Sequence, residues 1–435
     1  MSLLNRIVAV EKDEVGPMLW AALYYFLLFA AYFIIRPIRD EMGVESGVRN
    51  LSWLFLGTLL GMLLVHPLFT GLVSRLPRRV FIPLSYTFFA INLIAFWYAF
   101  QVLSGSSGIW AGRVFFIWTS VFNLFVVSIF WSLMSDLFRP EQAKRLFGFV
   151  AIGGTLGAVV GSAVPAFFGE RVNPTSFLLV SASLLGLAML AANRLMRSAP
   201  RSEAGSSPIA KSDANAPVGG GVLDGIRTAL SSPYLLGIVG YMLLYTITAT
   251  FLYFQQAEIV ESSFSDRAAR TVFFARVDLV VNSLTAIIQI FFTGRIVRRI
   301  GIALSLAVLP LVCILGFVAV GIAPTLWTIA AFQVLRRTGN YAVSRPCREM
   351  LYTVLPREAK YKAKNFIDTF VYRFGDQTGA WSYDGLAYLG LGAAAISMVA
   401  APLAAVWLLI GLWLGRRHST MVRARSTPEK TPGEG

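Results

Sequence analysis

The chain has 435 residues, 56% of them hydrophobic and only 14% charged, with a mean hydropathy of +0.65. Soluble domains carry about 25% charge, and a soluble core of this size could not hide so much apolar surface, which excludes a soluble globular protein. The formal net charge of +15 would suggest nucleic acid in a soluble chain. Here the excess lies in short loops between apolar stretches, where membrane topology explains it and no nucleic-acid partner is expected.

Apolar stretches recur near 18–36, 50–73, 80–101, 110–137, 145–168, 176–195, 233–256, 272–294, 301–321, 325–354, 362–390 and 393–414. Each reaches the ~20 residues that cross a ~30 Å hydrocarbon layer, so the sequence predicts an all-α polytopic membrane protein with about twelve spans. The start, MSLLNRIVAVEKDEVGP, shows no small-residue cleavage pattern, and no cleaved signal is expected. Basic clusters follow the second, fourth, sixth, eighth, tenth and twelfth spans (for example Arg75, Arg78 and Arg79, then Arg295, Arg298 and Arg299). The positive-inside rule then places both termini in the cytoplasm and the chain in the cytoplasmic (inner) membrane.

Residues 197–231 are polar and rich in Pro, Gly, Ser and Ala, the signature of a linker. It divides an N-terminal six-helix half (1–196) from a C-terminal one (232–415), and the basic tail 416–435 reads as disordered. TGLVSR at Thr70–Arg75 recurs as TGRIVR at Thr293–Arg298. Val127, Ser128, Pro140, Ala143 and Lys144 match Val343, Ser344, Pro356, Ala359 and Lys360 at constant offset. Matches in topological order around a central linker predict a parallel six-plus-six repeat, the major-facilitator arrangement, with a solute site near the midplane.

Charges inside spans are the most informative residues, because each costs about 2.5–3.5 kcal/mol at the bilayer centre on insertion scales. In YFIIRPIRDEMG, Arg36, Arg39 and Asp40 sit at i, i+3 and i+4 and share one helical face, with Pro37 expected to unwind the backbone. The cluster either ends the first span and snorkels outward or faces a solute path. In the tenth span, Arg337, Asn340 or Tyr341, Ser344 and Arg348 draw a polar stripe at helical spacing. Arg345 and Glu349 stand at i and i+4, the spacing of a pair. Glu349 alone cannot neutralise Arg336, Arg337, Arg345 and Arg348, so the stripe lines a solute path or draws carboxylates from Asp368 and Asp376 on the eleventh span. Arg373 and Asp376 are i, i+3 neighbours. Guanidinium offers a fixed fork of donors matched to carboxylate or phosphate oxygens, so surplus arginine favours an anion. In the eighth span, Arg276 and Asp278 point different ways and are weaker candidates.

Gly148, Gly153, Gly154, Gly157 and Gly161 suit close helix packing, since no strand precedes them and no GK[ST] follows, as a phosphate loop would require. Cys313, Cys347, His66 and His418 form no disulfide framework or zinc pattern, so no cofactor and no metal site is expected. No nucleophile–base or Walker pattern appears, so no enzyme is expected.

The stretch NYAVSRPCREMLYTVLPREAKYKAKNFIDTFVYRFGDQTG resembles the signature of the ATP/ADP translocases of plastids and intracellular bacteria, nucleotide transporters related to the major facilitator superfamily. The matching positions are Pro346, Arg348, Glu349, Met350, Tyr352, Lys360, Lys362, Lys364, Ile367, Asp368, Arg373 and Gly375, with Tyr32, Ile35, Arg36, Arg39 and Asp40 in the first span. The resemblance implies nucleotide exchange. Two departures have opposite sign: Arg345 stands where the family has Asp, and Asp376 where it has Lys. They predict a reversed ion pair between spans ten and eleven. An acidic residue expected before Phe130–Trp131 is missing, with only Thr119 and Asn123 nearby.

The expected function is therefore an alternating-access, monomeric carrier of a small anionic solute, a nucleotide or another phosphorylated or carboxylated metabolite. Arg36, Arg39, Arg337, Asn340, Tyr341, Arg345, Arg348 and Arg373 are its candidate contacts. Asp40, Glu349, Asp368 and Asp376 are candidates for ion pairing or proton coupling. A proton-coupled exporter on the same fold and a non-transporting membrane scaffold or sensor are the alternatives.

Overall fold

The computed structural model describes residues 11–198, 227, 230 and 232–426; most of the predicted linker, and the chain beyond 426, lie outside them. Twelve helices of span length follow one another among the described residues. They are α1 Val15–Glu45, α2 Leu51–Arg75, α3 Arg78–Val102, α4 Gly105–Leu137, α5 Pro140–Phe168 and α6 Phe177–Ser198, then α7 Pro233–Ser263, α8 Arg267–Phe291 and α9 Thr293–Ile322. In α10, Leu326–Gly339 continues through a π-helical turn, Asn340–Ser344, into Arg345–Leu351. In α11, Arg357–Phe366 continues through a second π turn, Ile367–Val371, into Tyr372–Tyr388. The last helix, α12, is Ala393–Ser426. Ten of these are long and apolar enough to cross a membrane; α10 and α11 miss that mark because charges and π turns interrupt them.

Two boundaries correct the sequence expectation. The first helix does not end near residue 36 but runs on to Glu45, so its charges lie within the helix, and Pro37 is buried inside an unbroken span. One missing N–H is tolerated where neighbouring helices pack around the site. At the other end, α12 continues through residues 416–426, which the polar composition had assigned to a disordered tail. Within α9, Gly301 adopts φ +76°, a left-handed conformation open to glycine, and separates the basic stretch 293–300 from the apolar span that follows.

The helices form two compact units. The first contains the described residues within Met1–Ala210 together with Val260–Ser283, so the C-terminal end of α7 and the first two-thirds of α8 pack with α1–α6. The second contains the described residues within Lys211–Ile259 and Leu284–Gly435.

In the first unit α1 is the centre, packed on α4, α5 and α6. Glycines set its distance to α5. A Cβ on Gly153, Gly157 or Gly161 would lie 2.3, 2.2 or 2.6 Å from the carbonyl oxygens of Ala22, Phe26 and Ala30 on α1. Backbone cannot yield there, so the glycine stripe is a packing surface. In the second unit α9 packs along α12 and against α10, and Gly375 and Gly379 let α11 approach Thr246 and Ile247 on α7.

Candidate functional site

The charged residues of the first unit gather where α1 meets α8. Arg36 Nη1 stands 3.2 Å from Asp278 Oδ1, and the Asp278 side chain is only 2% exposed. Two further rungs follow toward the C-terminal end of α1: Glu41 accepts from Arg267 Nε at 2.9 Å and Nη2 at 3.2 Å, and Glu45 accepts from Arg270 Nη1 at 3.1 Å. The helices run antiparallel, so Arg36 meets Asp278 within α8, while Glu41 and Glu45, nearer the end of α1, meet Arg267 and Arg270 at the start of α8. Asn282 continues the line by donating to Ser162 Oγ at 3.0 Å and to the Ala158 carbonyl at 3.2 Å on α5. Arg39 points to another neighbour. It donates to Asp40 at 2.8 Å and to Ser120 Oγ at 3.2 Å, with its guanidinium 3.7 Å above the Phe116 ring of α4. Outward snorkelling is thereby overturned: Asp40 and Glu41 are buried, and Arg36 and Arg39 are mostly so.

The second unit holds a different arrangement around Tyr245 of α7. The Arg348 guanidinium lies 4.7 Å from the ring centroid and that of Arg336 lies 5.3 Å from it. Both arginines belong to α10, twelve positions apart. On an uninterrupted α-helix that separation leaves them about 120° apart around the axis; the extra residue of a π turn brings them to within about 20°. The turn is held open by side chains. Gln289 Nε2 donates to the Tyr341 carbonyl at 3.1 Å and Thr293 Oγ1 donates to the Ala342 carbonyl at 2.8 Å, capturing acceptors in the π segment.

The partners of these two arginines are weak ones. Arg348 Nη1 donates to the thioether of Met242 at 2.9 Å. Arg336 is 6% exposed, lies against the Cys313 thiol, and leaves Nε and Nη2 without a hydrogen-bond acceptor. Among the described residues, no carboxylate comes within ion-pair distance of either. Asp368 of α11 is within electrostatic reach of Arg348, but also of Lys364 and Arg345.

Other predicted residues separate. Asn340 and Ser344 are buried, with Ser344 Oγ 3.2 Å from the Tyr241 hydroxyl, and Tyr341 is half-buried. Arg337 is half-buried beside Arg336 in sequence. The reversed ion pair does not form: Arg345 is exposed, and Asp376 pairs with Arg373 at 3.3 Å. Nor do Arg345 and Glu349 pair, because Lys364 takes Glu349. A single α10 stripe is likewise corrected, since the π turn shifts the phase by one residue and puts Arg336 on the face of Arg348.

The twelve-helix chain matches one family model over residues 18–347, that of the Major Facilitator Superfamily. The chain belongs to the Major Facilitator Superfamily. It is a multi-pass membrane transporter. As a member of that superfamily it is also similar to curated carriers: it is 22% identical to ADP,ATP carrier protein 1 of Chlamydia muridarum (strain MoPn / Nigg), over 93% of this chain and 88% of that one. It is equally 22% identical to ADP,ATP carrier protein 1 of Chlamydia trachomatis serovar D, over 87% and 83%. Solved structures share the fold at low identity. They include a bacterial homologue of the lysosomal transporter Spinster in an inward-facing, unoccupied conformation (TM-score 0.59, 16% identity, covering 96% of this chain and 100% of that one). The nucleoside transporter NupG, as its D323A mutant, aligns with TM-score 0.59 at 14% identity over 93% and 99%.

Sequence reasoning missed two residues. Asp278 was ranked low although it is the buried partner of Arg36, 242 positions away. Its signal was a carboxylate inside an apolar span, which demands a cationic neighbour. Arg336 was counted as charge but not chosen, because no local sequence feature announces a π turn.

Proposed function

We propose that this chain carries a small organic anion, with a nucleotide or a related phosphorylated metabolite as the solute class. Arg336 and Arg348 carry the reading: two guanidiniums at membrane depth share one aromatic ring and soft sulfur atoms. Burial of a cation is stable only when something compensates it, and a negative solute supplies that compensation at each cycle. The similarity to carriers named for ADP and ATP supports the nucleotide class. On this reading the protein is a transporter rather than an enzyme and alternates access as a monomer, without nucleic acid as a partner. It sits in the cytoplasmic membrane with both termini inside. Arg336 and Arg348 of the second unit contact the solute, while in the first unit Asp278 and Asp40 hold Arg36 and Arg39 as structural partners.

The test is uptake of labelled ADP, ATP and orthophosphate into liposomes containing the purified protein, with and without unlabelled nucleotide inside. Accelerated uptake against internal nucleotide is the expected result. Absence of counterflow for every anion, with uptake of a cation driven by a pH gradient, would replace this reading with the proton-coupled exporter.

A further inference from the structure

Arg336 is a buried ionised group with unsatisfied donors, and its surroundings specify what would satisfy it. The guanidinium is 6% exposed, with two of its three nitrogens lacking an acceptor. Its neighbours are the face of Tyr245 at 5.3 Å and the Cys313 thiol. Arg348 reaches the same ring at 4.7 Å and spends Nη1 on the Met242 thioether at 2.9 Å. A ring face, a thiol and a thioether are poor acceptors, which an anionic oxygen displaces easily. Two like charges also repel across the ring. That geometry is maintained by the π turn, which aligns Arg336 with Arg348 and is pinned by Gln289 and Thr293.

We infer that Arg336, Arg348 and the Tyr245 ring form a subsite for a phosphoryl group; the inference rests on the anion-carrier reading and deepens it. Arg336 and Arg348 lie about three helical turns apart on α10 and both reach the Tyr245 ring. Their donor forks therefore converge from different directions. A planar carboxylate fills one fork and leaves the other arginine uncompensated, whereas a tetrahedral phosphoryl group presents oxygens to both. Tyr245 contacts both guanidiniums by cation–π interaction, and the Tyr372 and Trp407 rings, 6.1 and 5.9 Å away, pack against it. The subsite thus selects for phosphorylated over merely carboxylated solutes, and for this it uses Arg336 in place of Arg337.

The experiment is thermal unfolding of the full-length protein in nanodiscs, titrated with orthophosphate, pyrophosphate or acetate at matched ionic strength. Phosphate and pyrophosphate are expected to raise the midpoint and acetate to leave it unchanged. Arg336→Gln is expected to weaken the phosphate response by about tenfold or more, the loss of a charge-assisted contact. Arg337→Gln should weaken it less, and exposed Arg276→Gln, outside the site, should not change it. Arg348→Lys, which keeps the charge but removes the fork, is the second variant should Arg336→Gln not be recovered, and it too should weaken the response.

An unchanged phosphate response in Arg336→Gln, or an equal response to acetate, would overturn the subsite. Nucleotide exchange by Arg336→Gln in liposomes with wild-type KM would overturn it as well while leaving the carrier reading intact. A wild-type protein that binds phosphate through Arg336 yet exchanges no anion would support the subsite and remove the carrier reading.

Discussion

Two regions of this molecule hold arginine within the span helices, and they do so in opposite ways. Where α1 meets α8, each cation has an acid: Arg36 with Asp278, Arg267 with Glu41 and Arg270 with Glu45. Around Tyr245, Arg336 and Arg348 have a ring and sulfur atoms. The first region reads as a structural ladder, complete without a ligand. The second is incomplete by itself. Identical side chains thus serve different ends according to whether their charge is matched inside the protein.

The largest expected effect breaks the matched side. Asp278→Ala leaves Arg36 buried without its acid, and removal of one partner of a buried pair costs about 3–5 kcal/mol; a fall in the unfolding midpoint checks it. Replacing both residues by apolar ones of similar volume, Arg36→Met with Asp278→Leu, should recover most of the loss. Next is the packing that holds α1 in register with its partners. Gly157→Val drives a side chain into the Phe26 carbonyl, from which even a Cβ would be 2.2 Å away, and overpacking of this kind costs about 1–3 kcal/mol. Tm of the purified variant measures it, and Gly148→Val on the same helix, where a Cβ meets nothing within 4 Å, should be nearly silent.

A smaller effect concerns Arg345 and Asp376. Because they do not pair, reversing both charges should give the sum of the single reversals in a transport assay, to within about 0.5 kcal/mol, the scatter of independent sites. Rescue in the double variant would show that the two residues meet.

The smallest effect lies at the start of α1. Burial would raise the Glu14 carboxyl, but the Glu11 backbone N–H, Gln142 and Arg145 outweigh it and hold Glu14 below its ordinary value of 4.5. A depressed carboxylate contributes stability above its unfolded value, and that contribution is lost as pH falls through the folded value. Tm should therefore decline below about pH 4.5 more steeply in the wild type than in Glu14→Gln.

How far the sequence reaches differs between these regions for physical reasons. The spans were legible because a helix must present some twenty apolar residues to lipid, and the glycine stripe because only small residues let backbones touch. The charged clusters were legible as charges in forbidden places. Their pairing was not. Asp278 finds Arg36 from the far side of the chain, a tertiary fact that no local spacing encodes. Lys364 outcompeted Arg345 for Glu349 although Arg345 stands at the favourable i, i+4 distance, because the end of α10 meets the start of α11 there. The stripe on α10 was drawn with a 3.6-residue period, and one inserted residue in the π turn rotated it from Arg337 to Arg336. Pro37 left its helix unbroken, while the π turn of α10 came where Gln289 and Thr293 supply donors from neighbouring helices.

The central claim is that charge is matched between α1 and α8 and left unmatched around Tyr245, and it fixes the sign of two stability changes. The ligand-free unfolding midpoints of Asp278→Asn and Arg336→Gln, measured side by side in phosphate-free buffer, test it most directly. The account predicts a fall for Asp278→Asn and no fall, or a rise, for Arg336→Gln. A comparable fall in both would mean that Arg336 is as fully compensated as Arg36, and would contradict it.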